Sequence, residues 1–271
     1  MRRSSTDTAG FTLIELAMVL FIVTLLIGGM LLPLSAQTEI RGRQETDRAL
    51  ANIRDALIGF AIVNGRLPCP APATLASGAL GVGLEATTAA AGTTATTGPC
   101  GCTAATSGIA SAGGTACDDS TPGDVTGVLP WATLGIPEAD FWGSRYTYRV
   151  TTRFARLAAG QTTFGCTPDT NPTSAAFALC SAGDIGVTTA VSGGTTVASL
   201  LPAIVVSHGK NTLGAYLPTG TQVTGVATGS DEEENADGDA AFVSNGSIDD
   251  QLIWIPTGIL MGRMQAADKL P

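Results

Sequence analysis

The chain has 271 residues, enough for one good-sized domain, and only 14% of them are charged. Lys and Arg number 14 against 23 Asp and Glu, which gives a formal net charge of -9. An acidic chain repels phosphate backbones and its few basic residues do not cluster, so we expect no nucleic-acid partner. The only histidine, His208, follows Ser207, but the chain lacks a G-x-S-x-G elbow, a phosphate loop and a dinucleotide fingerprint. We therefore expect no enzymatic activity.

An apolar stretch opens the chain. Residues 11–32 are apolar except for Thr12, Glu15 and Thr24. A helix of about 22 residues at about 1.5 Å each spans roughly 33 Å, enough to cross the hydrocarbon core of a bilayer. Arg2 and Arg3 precede the stretch, and the positive-inside rule places that end in the cytoplasm. The pattern predicts a single-pass membrane protein.

A secretory signal peptide is the alternative for the same stretch, with cleavage after Ala36. The apolar run is longer than a usual signal peptide needs, and it contains an acid near its start. An amphipathic pattern also follows it directly. These features favour an anchor that is retained.

The segment GFTLIEL, residues 10–16, resembles the processing site of type IV prepilins and type II secretion pseudopilins. In that family a membrane peptidase cuts after the glycine and methylates the new N-terminus. The resemblance implies a leader of residues 1–10, cleavage between Gly10 and Phe11, and N-methylation of Phe11. It also implies a single-pass protein of the inner membrane, with a cytoplasmic N-terminus and a head that is periplasmic, or extracellular in a filament.

Glu15 is an acid in an apolar environment, which is costly and marks a functional residue by default. It lies one helical turn after Phe11, so the amino group created by cleavage can pair with its carboxylate. The pairing can form within one subunit or between neighbours, and both arrangements stay open. In the family, the pairing between subunits is thought to guide assembly.

The helix is expected to continue from the apolar half, residues 11–33, into an amphipathic half, residues 34–65. Pro33 removes a backbone hydrogen bond and predicts a kink. Ile40, Ile53, Leu57, Phe60 and Ala61 form a stripe at helical spacing. Asn64-Gly65, followed by Pro68 and Pro70, predicts the end of the helix.

Residues 66–128 form an Ala/Gly/Thr-rich insertion that cannot bury much apolar area without cross-links. An even number of cysteines after a membrane anchor is typical of disulfides in an oxidising compartment. A metal site is disfavoured, since the chain has a lone C-x-C and one histidine. Cys166 and Cys180 flank a short turn and are predicted to pair, and the other connectivity is open. The six candidates are Cys69, Cys100, Cys102, Cys117, Cys166 and Cys180.

Residues 129–271 are predicted to form an antiparallel head. Residues 145–151, 201–207 and 250–255 have strand patterns, the segment 175–180 is a fourth candidate, and residues 259–270 form a short helix or tail. FWGSRYTYRV is similar to a strand start of the major pseudopilins of type II secretion. The fold class we expect is α+β. It is a pilin-like fold whose long N-terminal helix packs on a small antiparallel sheet, with an enlarged disulfide-stapled loop region.

An acidic segment lies before the last predicted strand, with eight acids in about 20 residues. Hard cations such as Ca²⁺ take six to eight oxygen ligands, which closely spaced carboxylates can supply. Major pseudopilins hold a calcium ion in the equivalent loop, and the resemblance therefore implies calcium as a cofactor. The preferred ligands are Asp237, Asp239 and Asp249. A solvated acidic loop is the alternative.

Taken together, the sequence predicts a structural subunit of a type IV pilus or a type II secretion pseudopilus, of a minor or specialised kind. Its expected partners are other subunits through the N-terminal helix, prepilin peptidase and the inner-membrane assembly platform. The alternative is a membrane-anchored or pilus-tip adhesin that binds its ligand through residues 71–127. Pilus and secretion system are not separated by the sequence.

Overall fold

The computed structural model describes residues 12–85, 110–111, 125–155 and 175–270. Helix α1 runs from Leu13 to Asn64. The predicted stop is confirmed: Gly65 adopts φ 72° and donates its N–H to the Ala61 carbonyl at 2.8 Å. Glycine tolerates this left-handed conformation, which closes the last turn of a helix.

Two sheets form after this helix. The first has the order β1-β2-β3-β6-β8 and is antiparallel throughout. Its strands are β1 (Ala110–Ser111), β2 (Val125–Val128), β3 (Thr147–Val150), β6 (Ala203–Ser207) and β8 (Gln251–Ile255). The strands predicted at 145–151, 201–207 and 250–255 are therefore confirmed, with shorter bounds. The segment 175–180 forms no strand, so that prediction is wrong.

The second sheet has the order β5-β4-β7. Strand β4 (Ile185–Thr188) pairs antiparallel with β5 (Thr196–Leu201) and parallel with β7 (Ala241–Val243). Five helices complete the described elements. After α1 they are α2 (Trp131–Leu134), α3 (Thr152–Ala155), α4 (Asp231–Glu234) and α5 (Thr257–Ala266).

Strand β6 shows how the layers stack, because all five of its residues are buried. Successive side chains of a strand point to opposite faces. Ala203 and Val205 join a core cluster with Leu57 of α1, whereas Ile204 and Val206 join a second cluster with Val187 of β4. The five-stranded sheet therefore lies between the second half of α1 and the three-stranded sheet.

The predicted amphipathic stripe on α1 is confirmed in part. Ile53, Leu57 and Ala61 are buried in the larger cluster, and Leu50 joins them. Ile40 is exposed, and Phe60 is half-buried. The buried face shares this cluster with Tyr148, Val150 and Val205 of β3 and β6, and with Leu260 and Met264 of α5.

Within the described part of the chain, no helix is both long enough and apolar enough to cross a membrane. The predicted transmembrane span and the single-pass inner-membrane location are therefore wrong.

The predicted fold class is also wrong as stated. It required a membrane-spanning half of the helix, which the described residues do not provide. It also required one small antiparallel sheet, whereas two sheets form and the second contains a parallel pair. Parallel strands need a long connection, and about 50 residues separate β4 from β7, so no local pattern predicted their pairing. Most of the expected stapled loop lies outside the described residues.

Candidate functional site

The first turn of α1 is organised by Thr12 and Glu15. The Thr12 N–H and hydroxyl both donate to Glu15 Oε2, at 3.0 Å and 2.8 Å. The Glu15 N–H donates back to the Thr12 hydroxyl at 3.4 Å. This reciprocal pattern is a capping box, which satisfies backbone donors that a helix start leaves unpaired. The hydrogen bonds from Thr12 lower the pKa of the Glu15 carboxyl, so the box favours the charged form.

The capping box was missed by the sequence reasoning, although its signal is present. The pattern T-x-x-E at residues 12–15 directly precedes an apolar helical run, which is the signature of such a start. The predicted cleavage and methylation site, Gly10 and Phe11, lies outside the described residues. The ion pair between Glu15 and the new N-terminus therefore stays a prediction.

Uncovered apolar side chains follow this cap as far as Ile27, with Thr24 as the one polar residue among them. Phe21 is 67% exposed and Leu13 89% exposed, although both are large hydrophobic residues. The exposed set covers every side of the helix: Leu13, Ile14, Leu16, Met18, Val19, Leu20, Phe21, Ile22, Val23, Leu25, Leu26 and Ile27. A helix that is apolar on all sides is normally buried, and this surface is uncovered in the described part of the chain.

The helical backbone continues through Pro33. A bend of the helix axis at this residue stays a prediction.

Both cysteines within the described residues, Cys69 and Cys180, are disulfide-bonded. Cys100, Cys102, Cys117 and Cys166 lie outside the described residues, so the pairing of Cys166 with Cys180 also stays a prediction.

The acidic segment is organised by backbone hydrogen bonds. Ser230 caps α4 by accepting the Glu233 N–H, and Asp231 accepts the Val191 N–H at 2.9 Å. The three predicted metal ligands also accept hydrogen bonds from backbone N–H groups. Asp237 accepts the Asp239 N–H at 3.1 Å, Asp239 accepts the Ala241 N–H at 2.7 Å, and Asp249 accepts the Asn211 N–H at 2.8 Å. Each of these carboxylates thus stabilises a turn.

Asp237, Asp239 and Asp249 are not brought together. In the part of the chain that the structure describes, no three His, Cys, Asp or Glu side chains are grouped so as to hold a metal ion. Partial burial, and then repulsion from neighbouring acids such as Asp239, raise the pKa of Glu234. The described acids thus give a calcium ion no group of three ligands, and we derive no function through one. Calcium binding stays a prediction.

His208 is fully buried, and its Nε2 lies 2.8 Å from the Thr147 hydroxyl. Burial lowers its pKa to about 4, so the imidazole is neutral near pH 7. The neighbouring Ser207 hydroxyl donates to Asp140 Oδ2 at 2.6 Å. Ser207 and His208 therefore have separate hydrogen-bond partners, and both stabilise the end of β6.

Asp140 is a buried organising residue that the sequence reasoning missed. Its Oδ1 accepts the N–H groups of Trp142 and Ser144 at 2.9 Å and 3.0 Å. Its Oδ2 accepts the Ser144 hydroxyl at 3.0 Å as well as Ser207. An aspartate that accepts the N–H two residues later forms an Asx turn, and D-F-W-G is compatible with that turn. The residues FWGS thus form a fixed loop joined to the end of β6.

Comparisons with family models, with curated proteins and with solved structures find no match to this chain.

Proposed function

We propose that the chain is a structural subunit of a helical-core filament, of the type IV pilus or type II secretion pseudopilus class. The observation that supports this proposal best is the uncovered apolar surface of residues 13–27 on α1. The resemblance of residues 10–16 to a prepilin processing site adds support from the sequence. A minor or specialised subunit is the simplest form of the proposal, because the insertion enlarges the chain between α1 and β2.

The driving force for assembly is burial of apolar area between helices of neighbouring subunits. Full burial of one large apolar side chain stabilises an interface by about 1.5 to 3 kcal/mol. Ordering a side chain at an interface costs about 0.5 to 1.5 kcal/mol, so several such contacts give net attraction. Twelve large apolar side chains are available between Leu13 and Ile27.

Glu15 is the residue we assign to subunit registration. Residues 12–38 contain no other charged side chain. Within the described structure, both hydrogen bonds to its carboxylate use Oε2, and Oε1 accepts none. The capping box therefore fixes the carboxylate through Oε2. Under the proposal, its charge pairs with the amino group of Phe11 exposed by prepilin peptidase.

The first test is the intact mass of the protein produced with and without prepilin peptidase. We expect a chain beginning at a methylated Phe11 only when the peptidase is present. A chain that still begins at Met1, or that is cut after Ala36, would contradict the proposal.

The role of Glu15 is tested by comparing Glu15→Gln with Glu15→Ala. Glutamine retains the capping acceptor but has no charge, so amide hydrogen exchange in the first turn should stay slow, whereas alanine should accelerate it. Both variants should reduce filament yield by at least about tenfold, since both lose the ion pair. Asp55→Asn, at an exposed position of the same helix, is the matched control. Normal assembly of Glu15→Gln would show that the charge is not needed.

A further inference from the structure

A groove of about 300 Å³ lies between the second half of α1 and residues 136–141. Ala49 and Ile53 form its wall on the helix, and Ile136 and Phe141 form the opposite wall. Glu45 and Asn52 flank the helical wall, and both are exposed. The groove thus combines apolar walls with a polar rim, the composition typical of a protein interface.

Phe141 gives this groove an exposed aromatic side chain on a loop that is fixed by hydrogen bonds. Phe141 is 47% exposed, and its ring contacts the Trp142 ring edge-on, with centroids 5.1 Å apart. The loop behind it is fixed, because Asp140 accepts hydrogen bonds from Trp142, Ser144 and Ser207. An aromatic side chain held in place and left uncovered is characteristic of a binding anchor.

The helical wall is suited to another helix. Glu45, Ala49 and Asn52 are spaced at i, i+4 and i+7, so they lie on one helix face over about 11 Å. Ala49, the smallest of them, lies between the two polar residues. A small residue between larger ones lets the ridge of a second helix approach closely.

We infer that this groove binds apolar side chains from residues 13–27 of a second copy of the chain. The inference rests on the proposed function and adds a specific docking surface to it. Among the described residues, only this stretch exposes consecutive large apolar side chains, and its one charged residue is Glu15. A nearly neutral occupant also avoids the repulsion expected between two chains that each have a net charge of -9.

The inference is tested by placing a photo-reactive benzoylphenylalanine at position 141 of the full-length chain. After illumination of assembled protein, mass spectrometry should identify a product of two chains, linked from position 141 to a peptide within residues 13–27. A product linked within a single chain, a link to another segment, or no link in protein that does assemble would overturn the inference. If no assembly forms at all, the proposed function itself fails.

A pair of substitutions gives an independent measurement. Phe141→Asp places a charge in the groove and should raise the concentration needed for assembly by at least about tenfold. Leu80→Asp is the matched control, because Leu80 is a fully exposed leucine outside the groove, and it should change that concentration less than about twofold. Circular dichroism of both variants checks that the fold is retained. Equal effects of the two substitutions would contradict docking at the groove.

Discussion

At the scale of single residues, buried polar groups determine how stability depends on pH. Asp250 is buried just before β8, where its Oδ2 accepts a hydrogen bond from the Asn235 amide at 2.8 Å. Burial raises its pKa to about 7, and the Asp249 and Glu232 carboxylates contribute to the rise, although the Asn235 hydrogen bond opposes it. The folded chain thus retains this proton to a higher pH than the unfolded chain, in which the ordinary value is 3.8.

We predict the consequence for Asp250→Asn. Between about pH 4 and pH 7 the folded chain binds one more proton here, so the free energy of unfolding decreases as pH rises. Asparagine does not titrate. The free energy of unfolding of the variant minus that of the original chain should therefore increase by about 1 to 3 kcal/mol from about pH 5 to about pH 8. Urea unfolding at each pH measures this difference.

The comparison separates Asp250 from His208, which has the opposite effect. The folded-state pKa of His208 is lowered to about 4, so its contribution increases stability as pH rises from about 4 to about 6.5. The His208 contribution is the same in the original chain and in Asp250→Asn, so it cancels when their free energies of unfolding are subtracted. Asp268→Asn, at an exposed position, is the control and should show no such trend. A pH-independent difference for Asp250→Asn would contradict the prediction.

At the scale of elements, a buried guanidinium joins loops to the sheet. Arg145 is fully buried just before β3, and its Nη1 donates to the carbonyls of Ala73 and Leu75 at 3.0 Å and 2.7 Å. Its Nε and Nη2 both donate to Glu138 Oε1, at 2.9 Å and 2.7 Å. The guanidinium carbon lies 4.7 Å from the centroid of the Trp131 ring. One side chain thus holds residues 73–75 against the segment that leads into β3.

We predict that Arg145→Met lowers the free energy of unfolding by about 2 to 4 kcal/mol. The substitution removes the donor to the buried Ala73 carbonyl and to the part-buried Leu75 carbonyl. It also removes the partner of Glu138, whose partial exposure moderates the loss. Arg263→Met on the exposed face of α5 is the matched control and should change stability by less than about 0.5 kcal/mol. Denaturant unfolding measures the free energy of unfolding of both variants. Equal decreases would show that Arg145 does not hold residues 73–75 against the segment before β3.

At the scale of the whole molecule, the apolar start of α1 and the packed cores are separate features. Every buried residue of the three core clusters lies at or after Leu50. The exposed apolar stretch lies within residues 13–27. Folding and assembly should therefore depend on different parts of the sequence.

We predict that a chain lacking residues 1–36 folds with an unchanged melting temperature but no longer associates. Among the removed residues whose side chains the structure describes, 12–27, none belongs to a core cluster, whereas this stretch contains the apolar surface that association would bury. Thermal unfolding and sedimentation velocity measure the two properties on the same sample. A large fall in melting temperature, or association that persists, would contradict this separation.

The sequence by itself determined the local features whose signals lie within a few residues. The helix end at Asn64 follows from Gly65, and the strand at 147–150 follows from its β-branched and aromatic residues. The first turn of α1 was also readable from T-x-x-E, although the acid was assigned only to an ion pair.

Only the tertiary structure decided what depends on distant contacts. The parallel pairing of β4 with β7 joins strands about 50 residues apart. Asp140 connects its own loop to the end of β6 only because folding brings Ser207 within hydrogen-bond distance. The acidic residues looked like ligands because they are close in sequence, but backbone hydrogen bonds direct Asp237 and Asp249 into different turns. Side-chain spacing along a chain specifies local geometry, whereas convergence on one site requires that packing bring the segments together.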